Sequence, residues 1–402
     1  MRSARVLLPT TLLALAAAWA GYSCATDAAG SSSNWAGTAD TLASGRVVVS
    51  NPDAEVWTDE TRWTATEDLR IGTLDGTGPD VFGSIAAFEV DDAGRLYVYE
   101  RQALELRIFD ASGAHLRTVG RSGGGPGEFG QVAGMTWAPD GMLWVIDPGN
   151  SRISVFDTSG TFVTSHPTAG GFIIMPWPGG FDAEGRFYNV GFNPNADANN
   201  RMVLIRYSAE LEALDTLTIP RDNVERAYFE LSGDGRFMRA GVPYQPNLQW
   251  RFTPDGFATV ETGAYRIERL SWTHDTLVTI TKAYTPLSVT DQDIEQAVAD
   301  LEWFTRQGGQ IEYDKFPDQK PAVAAFFVDD LGYFWAAPIT GTEDERRVFD
   351  VFDPEGRYLG RVRLPFRVES SPRPAFRGGY IYAVTQDDLE VPYLVRARLN
   401  RP

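Results

Sequence analysis

Cysteine is almost absent from this chain of 402 residues. Cys24 is the only one, so no disulfide can form within a single molecule. The fold must be held by packing and by the way the backbone closes on itself. Histidine is nearly as scarce, with His115, His166 and His274 the full complement. Basic residues are in deficit: 36 Lys and Arg stand against 54 Asp and Glu, a formal charge of −18. A field of that sign repels nucleic acid and anionic lipid surfaces and favours solubility, so nucleic acid is excluded as a partner. Helical patterning is rare as well, which turns attention to strands and turns.

Glycine and aromatic residues are plentiful. The densest glycine run, GRSGGGPGEFG at 120–130, looks at first like a phosphate cradle made of bare backbone N–H groups. A Walker-type loop ends in Gly-Lys-Ser/Thr, but here Gly127 is followed by Glu128, whose carboxylate repels phosphate. No helix start follows either: Val132, Met135, Trp137 and a Pro-Asp-Gly turn read as extended chain.

Self-comparison explains the run better. Leu69-Arg70 recurs as Leu116-Arg117, Gly78-Pro79 as Gly125-Pro126, and Phe82-Gly83 as Phe129-Gly130, all at one constant spacing. The same spacing carries DDAGRLYVYE (91–100) onto APDGMLWVID (138–147), and LRIFDASG (106–113) onto ISVFDTSG (153–160). Weaker copies follow. Six turn-and-strand units are centred on Gly94, Gly141, Gly185, Gly256, Gly332 and Gly379. Asp, Ser and Gly at those places supply the positive φ and local hydrogen bonds of tight hairpins.

Four short strands per repeat predict a β-propeller, whose blades bury their faces only by stacking around a channel. The fold class expected is all-β: a six-bladed β-propeller closed by an N-terminal strand, with one helical insertion. WTATEDLRIG (63–72) matches the end of a unit and is predicted to complete the last blade beside the C-terminal strand. The propeller is expected over 61–402, with 21–60 as tether and lead-in.

The pattern from Asp140 to Asp157, DG-x-L-x-V-x-D followed by N-x-R-I-x-V-F-D, resembles the NHL repeat. The chain is similar to bacterial six-bladed propellers of that superfamily over about residues 60–400. The GPGEF connector and the segment Pro317 to Trp335 also resemble that group. The resemblance implies the fold and an exported binding protein; it does not carry an activity.

The N-terminus has the shape of a signal peptide over 1–20, with Arg2 and Arg5 before an apolar run from Val6 to Ala20. Two processing routes are open. Ala18-Trp19-Ala20 would release a soluble product, whereas Cys24 would be lipidated in a cell-envelope lipoprotein. Either route takes the chain out of the cytoplasm, to the periplasm or cell envelope or into the medium. Membrane association is expected only through such an anchor, and the protein is expected to be a monomer.

Insertions in a repeat fold often mark the binding face. The longest covers about 286–318. In it Thr290 and Asp293 form a capping box, and Ile294, Ala297, Val298, Leu301 and Phe304 fall on one helical face. Two readings follow. The helix packs its stripe onto the ring, or it forms a lid whose Trp303, Phe304 and Tyr313 face a ligand.

Catalysis finds little support. The lyases related to NHL repeats need converging histidines, and the three here fall at different heights and radii of the repeat. Glu100 and Asp147 share one repeat position, which points to a structural role at a strand end. Asp147, Asn150 and Arg152 are read as loop-holding residues. No catalytic or metal-binding residue is assigned and no cofactor is expected, although the acid content would allow calcium in the channel. The function predicted is a binding or scaffold module for a protein, peptide or glycan. The alternative is a metal-assisted small-molecule hydrolase or lyase at the channel mouth.

Overall fold

The computed structural model describes residues 34–168, 174–195, 201–221, 226–233, 236–342 and 345–402. The signal segment and Cys24 lie outside them.

Six four-stranded antiparallel meanders follow one another. Blade 1 runs through Ile85–Val90, Leu96–Glu100, Glu105–Phe109 and His115–Val119. Blade 2 runs through Gly134–Trp137, Leu143–Asp147, Arg152–Phe156 and Phe162–Pro167. Blade 3 begins at Gly180–Phe181, blade 4 at Leu248–Thr253, blade 5 at Val323–Val328 and blade 6 at Ala375–Arg377. Blade 6 supplies three strands of its own, and Thr64–Ile71 is the fourth, antiparallel to Pro392–Asn400 with Leu394 opposite Ile71. The chain therefore closes its ring with a strand from the N-terminal side. The protein is an all-β six-bladed propeller.

Closure is also visible in the packing. Six apolar clusters each span one seam between neighbouring blades. Phe129 is fully buried between Tyr99 of blade 1 and Phe156 of blade 2, with ring centroids 5.4 and 5.8 Å away. Burying a side chain of that size stabilises by roughly 1.5–3 kcal/mol, and the seams repeat the contribution around the ring. Second strands such as Leu96–Glu100 and Leu143–Asp147 are buried throughout, whereas the outer strand His115–Val119 is mostly exposed.

The turns recur for a local reason. Asp91 Oδ1 accepts from the backbone N–H of Ala93 and Arg95, and Oδ2 accepts from Tyr97 Oη. Asp182 repeats this with Glu184, Arg186 and Tyr188, and Asp329 with Leu331, Tyr333 and Trp335. Such side-chain capping competes well with solvent and fixes each hairpin. Gly94, Gly141, Gly185 and Gly332 take φ of 76–83° in these turns, which a Cβ would strain.

Two additions decorate the ring. Within the lead-in, Thr38–Thr41 and Val47–Asn51 form a hairpin that extends blade 4 to six strands. Val47–Asn51 pairs in parallel with the blade's outer strand, Thr276–Lys282, so this part of the expected tether is built into the sheet. Between blades 3 and 4 a second hairpin, Tyr228–Gly233 with Arg236–Gly241, stands apart as a two-stranded sheet. The insertion helix α1, Asp291–Asp300, is capped by Thr290 and Asp293 as the sequence predicts. It continues into the short α2, Glu302–Thr305. Phe304 and Leu301 pack with Phe229, Ala240 and Val242 of that second hairpin.

Candidate functional site

The glycine-rich connector is held by the residues of blade 2. Asp147, fully buried, accepts from the backbone N–H of Gly130 and Gln131 and from the Asn150 amide. Arg152 donates to the carbonyls of Gly124, Gly125 and Glu128. Glu128 is itself occupied, accepting from Gly125 N–H and Arg121. Glu100 does the same work one blade earlier, accepting from Gly83 and Ser84 N–H. Residues 120–124 spell Gly-x-Ser-x-Gly, but Ser122 sits in a bridge to Phe129 rather than on a strand-to-helix elbow. This region is a joint.

The histidines are dispersed. His115 lies on the outer strand of blade 1 with Nε2 2.9 Å from Thr118 Oγ1. His166 lies on the outer strand of blade 2 beside Trp144. His274 occupies a turn of blade 4, its Nε2 2.9 Å from the Thr218 carbonyl. Among the described residues no three His, Cys, Asp or Glu side chains are placed to share a metal ion.

The insertion residues do not form a common site. Phe304 is fully buried under the hairpin, which corrects its expected place on a ligand face. Trp303 and Tyr313 are exposed, the first beside Phe304 and the second beside Phe316. The apolar stripe is a packing face, as such stripes usually are.

Register identifies which innermost-strand residues lie at one level of the ring. In each blade, one residue of the innermost strand pairs with a residue near the start of the strand behind it. These are Glu89 with Tyr97, Thr136 with Trp144, Gly180 with Tyr188, Arg251 with Ala258, Phe327 with Trp335 and Ala375 with Tyr382. They form one layer around the channel. Two residues back along the chain lie Gln249, Ala325 and Arg373. Arg251 of blade 4 and Arg373 of blade 6 thus flank the innermost strand of blade 5, where Ala324 and Ala325 leave room.

A cavity of about 410 Å³ opens there, at the ends where the chain enters the innermost strands. Its walls include Met175, Pro176, Trp250, Arg251, Phe327 and Arg373. Arg251 donates through Nη1 to the Trp250 carbonyl at 2.8 Å and through Nη2 to Gln249 Oε1 at 3.4 Å, and lies over the rings of Phe326 and Phe327. Its Nε is buried with no partner, and the same holds for Nε of Arg373. Among the described residues neither arginine has a carboxylate in ion-pair range. Burial, and then the repulsion of Arg373, hold Arg251 well below its usual pKa; burial pulls Arg373 down to about 10. A guanidinium keeps its proton in proteins, so both side chains are cationic at neutral pH. Across the ring, burial pushes Glu89 up to about 8 despite the attraction of Arg377, so it is largely uncharged there.

A second cationic group lies in the seam between blades 4 and 5. Lys282 Nζ is buried, paired with Asp53 and 3.5 Å from Asp350. Asp350 accepts from Arg361 Nε at 2.8 Å, from Tyr358 Oη at 3.0 Å and from Tyr265 Oη. Lys282 also lies over the rings of Tyr265 and Tyr358. Burial and the Asp350 charge push both phenols above their ordinary range. Every charge here has a counter-charge, and the neighbouring cavity is smaller, about 260 Å³.

With this geometry in hand, comparison with known proteins is informative about fold. Residues 75–166, blades 1 and 2 with their connector, match a family described as a 6-bladed beta-propeller. No curated protein matches the chain. Among solved structures, the chain is similar to a Bacteroides fragilis protein described as exported, at 12% identity and TM-score 0.49, covering 88% of this chain and 99% of that one. It is similar to a streptogramin B lyase at 11% identity and TM-score 0.43, covering 84% and 98%. It is also similar to the PQQ-bound aldose sugar dehydrogenase of Streptomyces coelicolor at 12% identity and TM-score 0.42, covering 85% and 99%. At such identities and scores nothing passes from those proteins to this one.

Proposed function

We propose that the protein is an exported binding module of NHL-repeat type, and that its ligand, a protein, peptide or glycan element, enters the mouth of the channel. The observation that carries this reading is the cavity framed by blades 4, 5 and 6, roomy and lined by both apolar walls and unanswered cations. Pockets of a few hundred Å³ with a few convergent polar groups are the usual form of a ligand site. The described residues of this cavity offer cationic, amide and apolar recognition groups.

Arrays of oligosaccharides and peptides probed with the purified mature protein test this reading. Ser370→Trp places a large ring at the exposed rim of the cavity without touching the core. Ligands retained by the wild type are expected to be lost by this variant. Binding that survives Ser370→Trp but fails with Trp303→Ala would move the ligand face to the helical insertion. A stoichiometric calcium ion with a large calcium-dependent rise in melting temperature would favour the enzyme reading instead.

Export is part of the same proposal, with a lipid anchor at Cys24 or release after processing. Cys24→Ser is expected to shift the protein from the membrane fraction to the soluble one if the anchor is present. Unchanged fractionation removes the anchor.

A further inference from the structure

We propose that Arg251 and Arg373 form an oxyanion site inside the channel. It takes a carboxylate, phosphate or sulfate carried by a ligand whose apolar part lies against Met175, Pro176 and Phe327. This inference rests on the channel mouth being the binding face.

The geometry carries it in three steps. First, Arg251 lies on the innermost strand of blade 4, and Arg373 lies two residues before the innermost strand of blade 6, so the two come from the blades on either side of the strand bearing Ala324 and Ala325. Both side chains line the same cavity. Second, their hydrogen-bonding capacity is unspent. A guanidinium has five N–H donors. Arg251 places two bonds, to Gln249 Oε1 and to the Trp250 carbonyl, while Arg373 places none among the described residues. Third, the placement is unfavourable without a ligand. Two like charges line one cavity with their Nε atoms buried and, among the described residues, no carboxylate in ion-pair range, inside a chain that carries an excess of acids. Folding alone gives no reason to keep them.

An oxyanion answers all three points. Planar carboxylates and pairs of oxygens on tetrahedral phosphates or sulfates match the fork of an arginine and can bridge two of them. The Gln249 amide, whose Nε2 donates to the Ala324 carbonyl, holds the neighbouring wall in place. Met175, Pro176 and Phe327 provide apolar surface beside the charge. The ligand class is therefore an acidic small molecule, or an acidic residue or sugar at the end of a longer chain.

Melting curves and calorimetric titration of the mature protein with citrate, galacturonate, inorganic phosphate and sulfate test the site, against chloride at matched ionic strength and against neutral galactose. At least one oxyanion is expected to raise the wild-type melting temperature by a few degrees beyond chloride. Arg251→Met and Arg373→Met should each weaken that binding by about tenfold or more, the loss of one charge-assisted contact. Arg251→Gln, which keeps a donor, guards against a failure to fold. A response confined to citrate and galacturonate identifies a carboxylate ligand; one confined to phosphate or sulfate identifies those esters. Equal behaviour of all oxyanions and chloride, or shifts that survive in the arginine variants, would overturn the proposal. If array ligands are blocked by Ser370→Trp yet bind normally to the arginine variants, the channel remains the binding face and only the oxyanion site falls.

Discussion

Two groups of cations lie inside this ring, and they differ in how they are answered. In the seam between blades 4 and 5, Lys282 and Arg361 converge on Asp350, and two tyrosine hydroxyls complete the carboxylate's shell. In the channel, Arg251 and Arg373 line a cavity where, among the described residues, no carboxylate reaches either of them, and they repel each other. The first arrangement is complete within the folded chain; the second is complete only with something added. A buried charge by itself says little about function. Whether its partners belong to the protein is what separates a structural group from a binding group.

The comparison can be broken most forcefully at Asp350. Asp350→Ala leaves Lys282 and Arg361 without their shared counter-ion, and stability measured by denaturant unfolding is expected to fall by about 3–5 kcal/mol. A loss under 1 kcal/mol would mean the seam cluster is no more structural than the channel pair. Next comes Asn51, whose side chain accepts from Trp35 Nε1 and Tyr358 N–H and donates to the carbonyls of Thr281 and Gly356. It ties the added hairpin of blade 4 to blade 5. Asn51→Ala strands those groups and should cost about 2–3 kcal/mol in the same assay.

Glu89 gives a smaller effect, and one that depends on pH. Its folded pKa, about 8, lies above the ordinary value of 4.5. Between those values the folded state holds a proton that the unfolded state releases, so stability falls as pH rises through this window and levels off above about 8. Glu89→Gln removes the titration. Its melting temperature should drop less than the wild type's between pH 5 and pH 9, and parallel curves would contradict this. The smallest effect is expected at Trp303, half exposed on the insertion helix. Trp303→Ala should change stability by no more than about 0.5 kcal/mol.

Much of the scaffold was legible before any coordinates, because a propeller repeats its devices. Gly94 and Gly141, or Phe82 and Phe129, recur at one spacing, and the shared position of Glu100 and Asp147 correctly marked both as strand-end supports. The match of 63–72 to the end of a unit located the closing strand. The hairpin 38–51 was not legible. Val47–Asn51 has no copy elsewhere, and its parallel pairing with Thr276–Lys282 links segments more than half the chain apart, without local signal. Phe304 was legible as part of a stripe that packs on the fold, but the hairpin that covers it was not, since that hairpin has no repeat pattern either. The channel pair was missed because single arginines in a divergent repeat resemble surface arginines. One signal was available: Gln249 and Arg251 alternate with Trp250 and Phe252 on a first strand, which puts the two polar side chains on one face of it.

The most direct measurement of the central claim is the stability of two ligand-free variants carrying the same change, Arg251→Met and Arg361→Met, by equilibrium unfolding. The account predicts opposite signs. Arg361→Met loses a partner of Asp350 and unfolds more easily, whereas Arg251→Met removes an unanswered buried charge and raises stability, by about 1 kcal/mol or more. If Arg251→Met is instead as destabilising as Arg361→Met, the channel arginine is a structural element and the distinction between the two regions is wrong.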